Sequence, residues 1–256
     1  DVYKRQSLNR SDGQIHTTSD NGFILASSSG PMGTQDYDLH LVKLDEQGNS
    51  EWEKSWDKGG TWEKGRSVKQ TSDGGFILSG SINSFRDTHI IKTDNQGNTE
   101  WEKTITGHSN SDLQLSSDGE YVFSGYNNNS NNNFASLIKT DSSGNELWIQ
   151  TYETVNGLSG FQEIVSFVET DDNGFMLLGS WSDGIGQNDI YLIKVDSSGT
   201  PLWYKLFGGS GNEHSYGSIS KTSDNKYFLT AYTNSYGSGD NDIWVLKVDS
   251  EGNRIF

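Results

Sequence analysis

The sequence predicts an all-β chain of the β-propeller class, and three observations carry that expectation. A stretch of the form Lys-x-Asp-x-x-Gly-x-x-x-Trp recurs along the chain. An Asp-centred turn followed by an aromatic residue precedes each copy. No stripe of apolar residues at helical spacing persists anywhere. The copies begin at Lys43, Lys92, Lys139, Lys194 and Lys247, so the steps are 49, 47, 55 and 53 residues. A period near 50 with several strand signals per period means one supersecondary unit stacked on its own copies.

The second repeat states the unit most clearly. Arg66–Gln70 reads as a short strand, and Thr71-Ser72-Asp73-Gly74-Gly75 as a turn. In that turn the Asp can accept from backbone N–H groups two residues on, and Gly can take φ > 0. Phe76–Gly80 is apolar on both sides, as a strand buried on both faces should be. Thr88–Lys92 is the third strand. The turn Thr93–Asn98 then leads into Thr99–Thr104, which alternates like an outer strand with one wet face.

The other repeats carry the same landmarks in order. The first has Ser19-Asp20-Asn21-Gly22 before Phe23–Ala26, then Lys43 to Trp52. The third has Ser117-Asp118-Gly119-Glu120 before Tyr121–Ser124, then Lys139 to Trp148. The fourth has Asp171-Asp172-Asn173-Gly174 before Phe175–Leu178, then Lys194 to Trp203. The fifth has Ser223-Asp224-Asn225-Lys226 before Tyr227–Thr230, then Lys247 to Phe256. We therefore expect one domain over 1–256, with blades near 7–56, 57–105, 106–152, 153–207 and 208–256. Pro31 falls in a loop, and Pro201 at the start of an outer strand, where a missing N–H is tolerated.

Composition narrows the function classes. Lys+Arg 19 against Asp+Glu 35 gives a net charge of −16, which repels nucleic acid and anionic membranes. No apolar run approaches the length of a membrane span. With no Cys there is neither a disulfide framework nor thiol chemistry. Apolar content of 31% with 30 Gly is low for a globular chain, but the repeats and 12% aromatic residues argue for a packed fold.

The termini carry two expectations. Asp1-Val2-Tyr3-Lys4-Arg5-Gln6 matches the translation of a common sequencing-library adapter, which points to a metagenomic reading frame whose natural gene begins upstream of Ser7. Phe256 stands where the other repeats have Trp, so the last outer strand is cut short. Val2-Tyr3-Lys4 resembles Trp203-Tyr204-Lys205 and could supply it. The alternative to five blades is an arc of a six- to eight-bladed ring.

The turn Thr71–Phe76 and the Lys-to-Trp stretch together resemble the propeller repeats of bacterial secreted and cell-surface proteins, and loosely the repeats of pyrroloquinoline-quinone-type propellers. That resemblance covers about Ser7 to Phe256. It implies an extracellular or surface-displayed monomer, and a binding or scaffold module rather than an enzyme. The Gly-His and Trp-Asp signature of WD repeats is missing, and the double-Gly signature of kelch repeats is present only loosely.

Chemistry is sought in what does not repeat. A side chain present in every blade is structural, so the five Lys are expected to pair with a nearby turn Asp, and Trp52, Trp101, Trp148 and Trp203 to pack between blades. The Asp-Gly turns have too few oxygens for calcium; Asp36 with Asp38 and Asp240 with Asp242 are the better cation candidates. Neither metal nor cofactor is expected, since His16, His40, His89, His108 and His214 lack ligand spacing.

Loops on a rigid scaffold are where recognition usually sits. We expect a glycan or peptide to be bound by aromatic residues of the loop face: Trp62, Tyr126, Trp181, Tyr232 and Tyr236. The Asn-rich run Asn127–Asn133 lies on the same face. Arabinanase-type propellers are glycosidases built on paired carboxylates, and Glu63, Asp112, Glu163 and Glu213 lie near first-strand starts. Because similar acids recur in most repeats, they are expected to be structural; the alternatives to a binding module are a purely structural spacer in a larger surface protein and a five-bladed glycosidase.

Overall fold

The computed structural model describes residues 8–31, 36–59, 62–128, 133–182, 188–215, 217–238 and 240–256. Val2-Tyr3-Lys4 and the middle of the Asn-rich run lie outside these residues. The described residues hold strands and turns and no helix, so no helix is long and apolar enough to cross a membrane.

The strands group into five four-stranded antiparallel sheets, as the β-propeller class requires. The first holds β1 (Leu8–Thr17), β2 (Phe23–Pro31), β3 (Asp38–Leu44) and β4 (Ser50–Trp56). The second holds β5 (Lys64–Gln70), β6 (Phe76–Ile82), β7 (Asp87–Thr93) and β8 (Thr99–Ile105). The third holds β9 (His108–Leu115), β10 (Tyr121–Asn127), β11 (Phe134–Thr140) and β12 (Glu146–Tyr152). A two-residue hairpin follows, β13 (Thr154–Val155) with β14 (Leu158–Ser159). The fourth sheet holds β15 (Phe161–Glu169), β16 (Phe175–Ser182), β17 (Asn188–Val195) and β18 (Pro201–Phe207). In the fifth, β19 (Glu213–His214) and β20 (Ile219–Lys221) pair with the same side of β21 (Tyr227–Thr233), and β22 (Asp242–Val248) pairs with the other. The chain divides into two compact units, residues 1–115 with 142–145 and residues 116–141 with 146–256.

Each repeat folds for the same local reasons. In the turn between first and second strands a residue at positive φ is needed, and the sequence supplies Asn21, Gly74, Gly119, Asn173 and Asn225 there. Asp73 Oδ1 accepts from the Thr71 hydroxyl at 2.6 Å and from Gly75 N–H at 2.9 Å. In the next hairpin Asp94 Oδ1 accepts from Gln96 N–H at 2.9 Å and Asn98 N–H at 2.8 Å, with Gly97 at φ 77. After each of these hairpins the outer strand carries one extra residue, so the register skips between Lys92↔Trp101 and Thr93↔Thr99 and likewise in the first, third and fourth sheets.

The repeated Lys is satisfied by the Asp of the other turn. Lys92 Nζ stands 2.9 Å from Asp73 and 2.9 Å from Glu100, and donates to the Thr93 carbonyl at 3.0 Å. Lys43 repeats this with Asp20 and Glu51, Lys139 with Asp118 and Glu120, and Lys194 with Asp172. Burial pulls the Lys92 pKa down, and the two carboxylates more than offset it, leaving it above the ordinary value.

Second and third strands are buried on both faces in the middle sheets, as continuous apolar runs predict. In the first unit Ile24, Ala26, Leu39 and Leu41 pack with Val68, Phe76, Leu78 and Ile91. In the second unit one cluster joins Leu137 and Tyr152 to Phe161, Phe167 and Tyr191. Another joins Met176, Leu178 and Leu192 to Leu229, Trp244 and Leu246. The fifth sheet differs: β22 alternates buried and exposed residues, leaving Ile243 75% exposed opposite Tyr232.

Candidate active site

In the first unit, β1, β5 and β9 bring Gln14, Ser67, Lys69, Asp112 and Gln114 to one point. Ser67 donates to the Gln14 side-chain oxygen at 2.7 Å. Asp112 accepts from Leu113 N–H at 2.8 Å and from the Gln114 amide at 3.1 Å, with longer approaches from Gln14 and Ser67 at 3.5 Å. Its residue is only 5% exposed.

Burial marks Asp112, as it does Asp38, whose pKa is also raised by burial and by the charges of Asp57 and Asp36. Burial raises the Asp112 pKa, and bonds from Gln114 and Leu113 together with the charge of Lys69 only partly oppose this. Lys69 is itself lowered by burial, against the pull of Asp112. A carboxyl held towards its protonated form next to amide and hydroxyl donors can give up a proton.

Of the other acids singled out from the sequence, two tie linkers to sheets. Glu63 accepts from Lys58 N–H at 3.1 Å on each oxygen. Glu213, fully buried, accepts from Gly209 N–H at 3.0 Å and the Thr233 hydroxyl at 2.7 Å. Asp87 does the same work for the linker at Gly107, accepting from its N–H at 2.8 Å. Glu163 sits on β15, half-buried. Asp38, one of the cation candidates, comes together with Asp57 and Glu63, with a carboxylate oxygen from each within 4.8 Å of the others.

The expected aromatic residues are spread over both units. Trp62 lies in the first unit between β4 and β5, in ring contact with Tyr37 at 6.1 Å and Phe85 at 6.0 Å. Tyr126, Trp181 and Tyr232 are strand residues rather than loop residues, because pairing runs further than expected, to Tyr126↔Ala135, Trp181↔Asp189 and Tyr232↔Ile243. Trp181 donates its indole N–H to the Ser159 carbonyl at 2.7 Å. Tyr236 lies 5.1 Å from the Trp244 ring and donates to the Gly208 carbonyl at 2.9 Å.

No family model matches the chain, and no curated protein matches it. Solved structures do. A β-xylosidase, RS223, superposes with a TM-score of 0.53 at 14% identity, covering 96% of this chain and 94% of that one. An α-L-arabinofuranosidase from Lactobacillus brevis gives 0.54 at 10%, covering 99% and 95%. The β-propeller domain of the Trilobed protease from Pyrococcus furiosus gives 0.51 at 10%, covering 96% and 69%. At these identities the likeness establishes the fold, which is the β-propeller.

The likeness also corrects the expectation of a non-catalytic binding or scaffold module and the rejection of enzyme function. The same fold, matched over nearly the whole of both chains, is that of several glycosidases. Recurrence of acids argues against catalysis only if all of them are equivalent. Glu63 and Glu213 hold linkers, whereas Asp112 is buried among side chains from three first strands, and that difference is invisible in a one-dimensional repeat.

Proposed function

We propose that the chain is a glycoside hydrolase of the propeller type acting on a neutral glycan, with xylose- and arabinose-containing chains as the first substrates to test. Asp112 carries the reading: a carboxyl with a raised pKa, surrounded by side chains from three first strands. The glycosidases among the similar solved structures support it.

In this reading the protonated Asp112 carboxyl donates its proton to the glycosidic oxygen as the bond from that oxygen to the anomeric carbon breaks. Water adds its hydroxyl to the anomeric carbon, and its remaining proton restores the acid. Such chemistry needs an acid whose pKa stands above the ordinary carboxylate range. Gln14, Ser67 and Gln114 orient the carboxyl, and Lys69 balances the charge it carries once the proton has left.

The test is product analysis by chromatography after incubation with xylo- and arabino-oligosaccharides, using Asp112→Asn as the control. Release of shorter sugars by the wild type alone supports the reading. No product from any glycan, or equal product from the variant, overturns it.

A further inference from the structure

We propose that Tyr37, Trp62 and Phe85 form a shelf that binds the apolar face of a neutral sugar ring, with the Asp38 and Asp57 carboxylates receiving its hydroxyls. The proposal takes its ligand class from the glycosidase reading and makes this shelf a substrate subsite.

Three separate segments build the shelf. Tyr37 stands just before β3, Trp62 just before β5, and Phe85 between β6 and β7. Trp62 is central, 6.1 Å from Tyr37 and 6.0 Å from Phe85, with tilted ring planes of 48° and 57°. All three rings remain half-exposed. A half-exposed aromatic face suits the C–H side of a sugar, because it removes apolar surface from water while the hydroxyls stay free to bond.

The backbone presents these rings at a cost. Trp62 has φ 64, a left-handed conformation that is an outlier for a bulky side chain. In the stretch from β12 to β15 such conformations fall on Asn156, Gly157 and Gly160, and between β8 and β9 on Gly107, residues that tolerate them. Asn83, Ser84 and Phe85 follow one another at φ 53, 58 and 65. A Gly in place of Trp62 would relieve its strain, so the indole is kept for something other than backbone geometry.

The polar surroundings choose the ligand class. Asp38 and Glu63 directly follow Tyr37 and Trp62 in sequence, so the carboxylate trio adjoins the shelf. Clustered carboxylates accept from hydroxyls and repel an anionic sugar. The Arg66 guanidinium lies 5.7 Å from the Phe85 ring, and its buried Nε reaches no acceptor among the described residues. Strand β5 links the shelf to the acid, since it carries Arg66 and, next to it, the Ser67 that approaches Asp112.

The test is a calorimetric titration of the full chain carrying Asp112→Asn, so that nothing is consumed, with xylotriose and with trigalacturonate. Trp62→Gly is added in the same background, and Trp62→Phe as a ring-preserving control. Thermal melts establish that each variant is folded. The expected result is xylotriose binding that weakens at least tenfold in Trp62→Gly, largely survives in Trp62→Phe, and exceeds trigalacturonate binding. Equal xylotriose affinity with and without Trp62, no binding of xylotriose, or equal binding of trigalacturonate overturns the shelf. Binding with the expected Trp62 dependence alongside a wild type that cleaves nothing would retain the shelf and discard the hydrolase.

Discussion

The ring of Trp52 lies against Gly97, so close that a Cβ on that glycine would stand 2.7 Å from the indole. The relation repeats as Trp101 over Gly144, Trp148 over Gly199 and Trp203 over Gly252. Each repeat's Trp thus covers the positive-φ turn of the following repeat, and the Gly is required twice, for its φ and for its missing side chain. Gly48 has the same φ class, 82, with open space around it.

That contrast yields a stability prediction. Gly48→Ala meets only the left-handed backbone penalty, about 1–2 kcal/mol. Gly97→Ala adds displacement of the Trp52 ring, for a total of roughly 2–4 kcal/mol. Urea unfolding of the two variants checks this; equal losses would mean that the ring contact contributes nothing.

The Lys92 ammonium is 4% exposed while its partner Asp73 is 57% exposed, so the pair is half screened. Lys92→Ala is expected to cost about 1–2 kcal/mol, below the loss typical of a fully buried pair. For Asp73 burial acts to raise the pKa, but bonds from Thr71 and Lys92 prevail and lower it to about 2; Asp172 behaves alike. A depressed carboxylate gives stability that is present above the unfolded value of 3.8 and is lost as pH falls towards 2. The melting temperature is expected to fall steeply across that window, and less steeply in Lys92→Ala. Parallel curves for the two proteins would contradict it.

Asp112 has the opposite sign. Its native pKa is raised, so the folded state holds a proton that the unfolded state has released, and stability falls as pH rises above 3.8. Asp112→Asn removes that slope. Its melting temperature relative to wild type is expected to increase from pH 3 to pH 7, and a constant difference would show that the carboxyl is not strained.

The repeat made the fold legible because each landmark has one local job. The Asp turns, the Gly at positive φ and the outer-strand Trp sit at fixed offsets in Lys43–Trp52 and its copies, and local hydrogen bonds alone explain them. The partner of each Lys was less legible, since Lys92 reaches the more distant Asp73 while Asp94 caps its own hairpin. The site was less legible still. Gln14, Ser67 and Asp112 are about 50 residues apart in sequence and meet only through stacked first strands. Tyr232 looked like a loop aromatic, but it pairs with Ile243 on the open face of the fifth sheet, a burial state that composition does not encode. Trp62 was legible as an aromatic outside the repeat, whereas its neighbours Tyr37 and Phe85 were not.

The most direct test of the account compares kcat/KM of wild type and Asp112→Asn on aryl xylosides and arabinofuranosides that differ in leaving group. A proton donor matters most when the departing oxygen is basic. The account predicts a loss of a hundredfold or more, on the order of general-acid contributions, with a poor leaving group, shrinking towards none with a dinitrophenolate. Absence of wild-type hydrolysis, or the same loss for every leaving group, would contradict it.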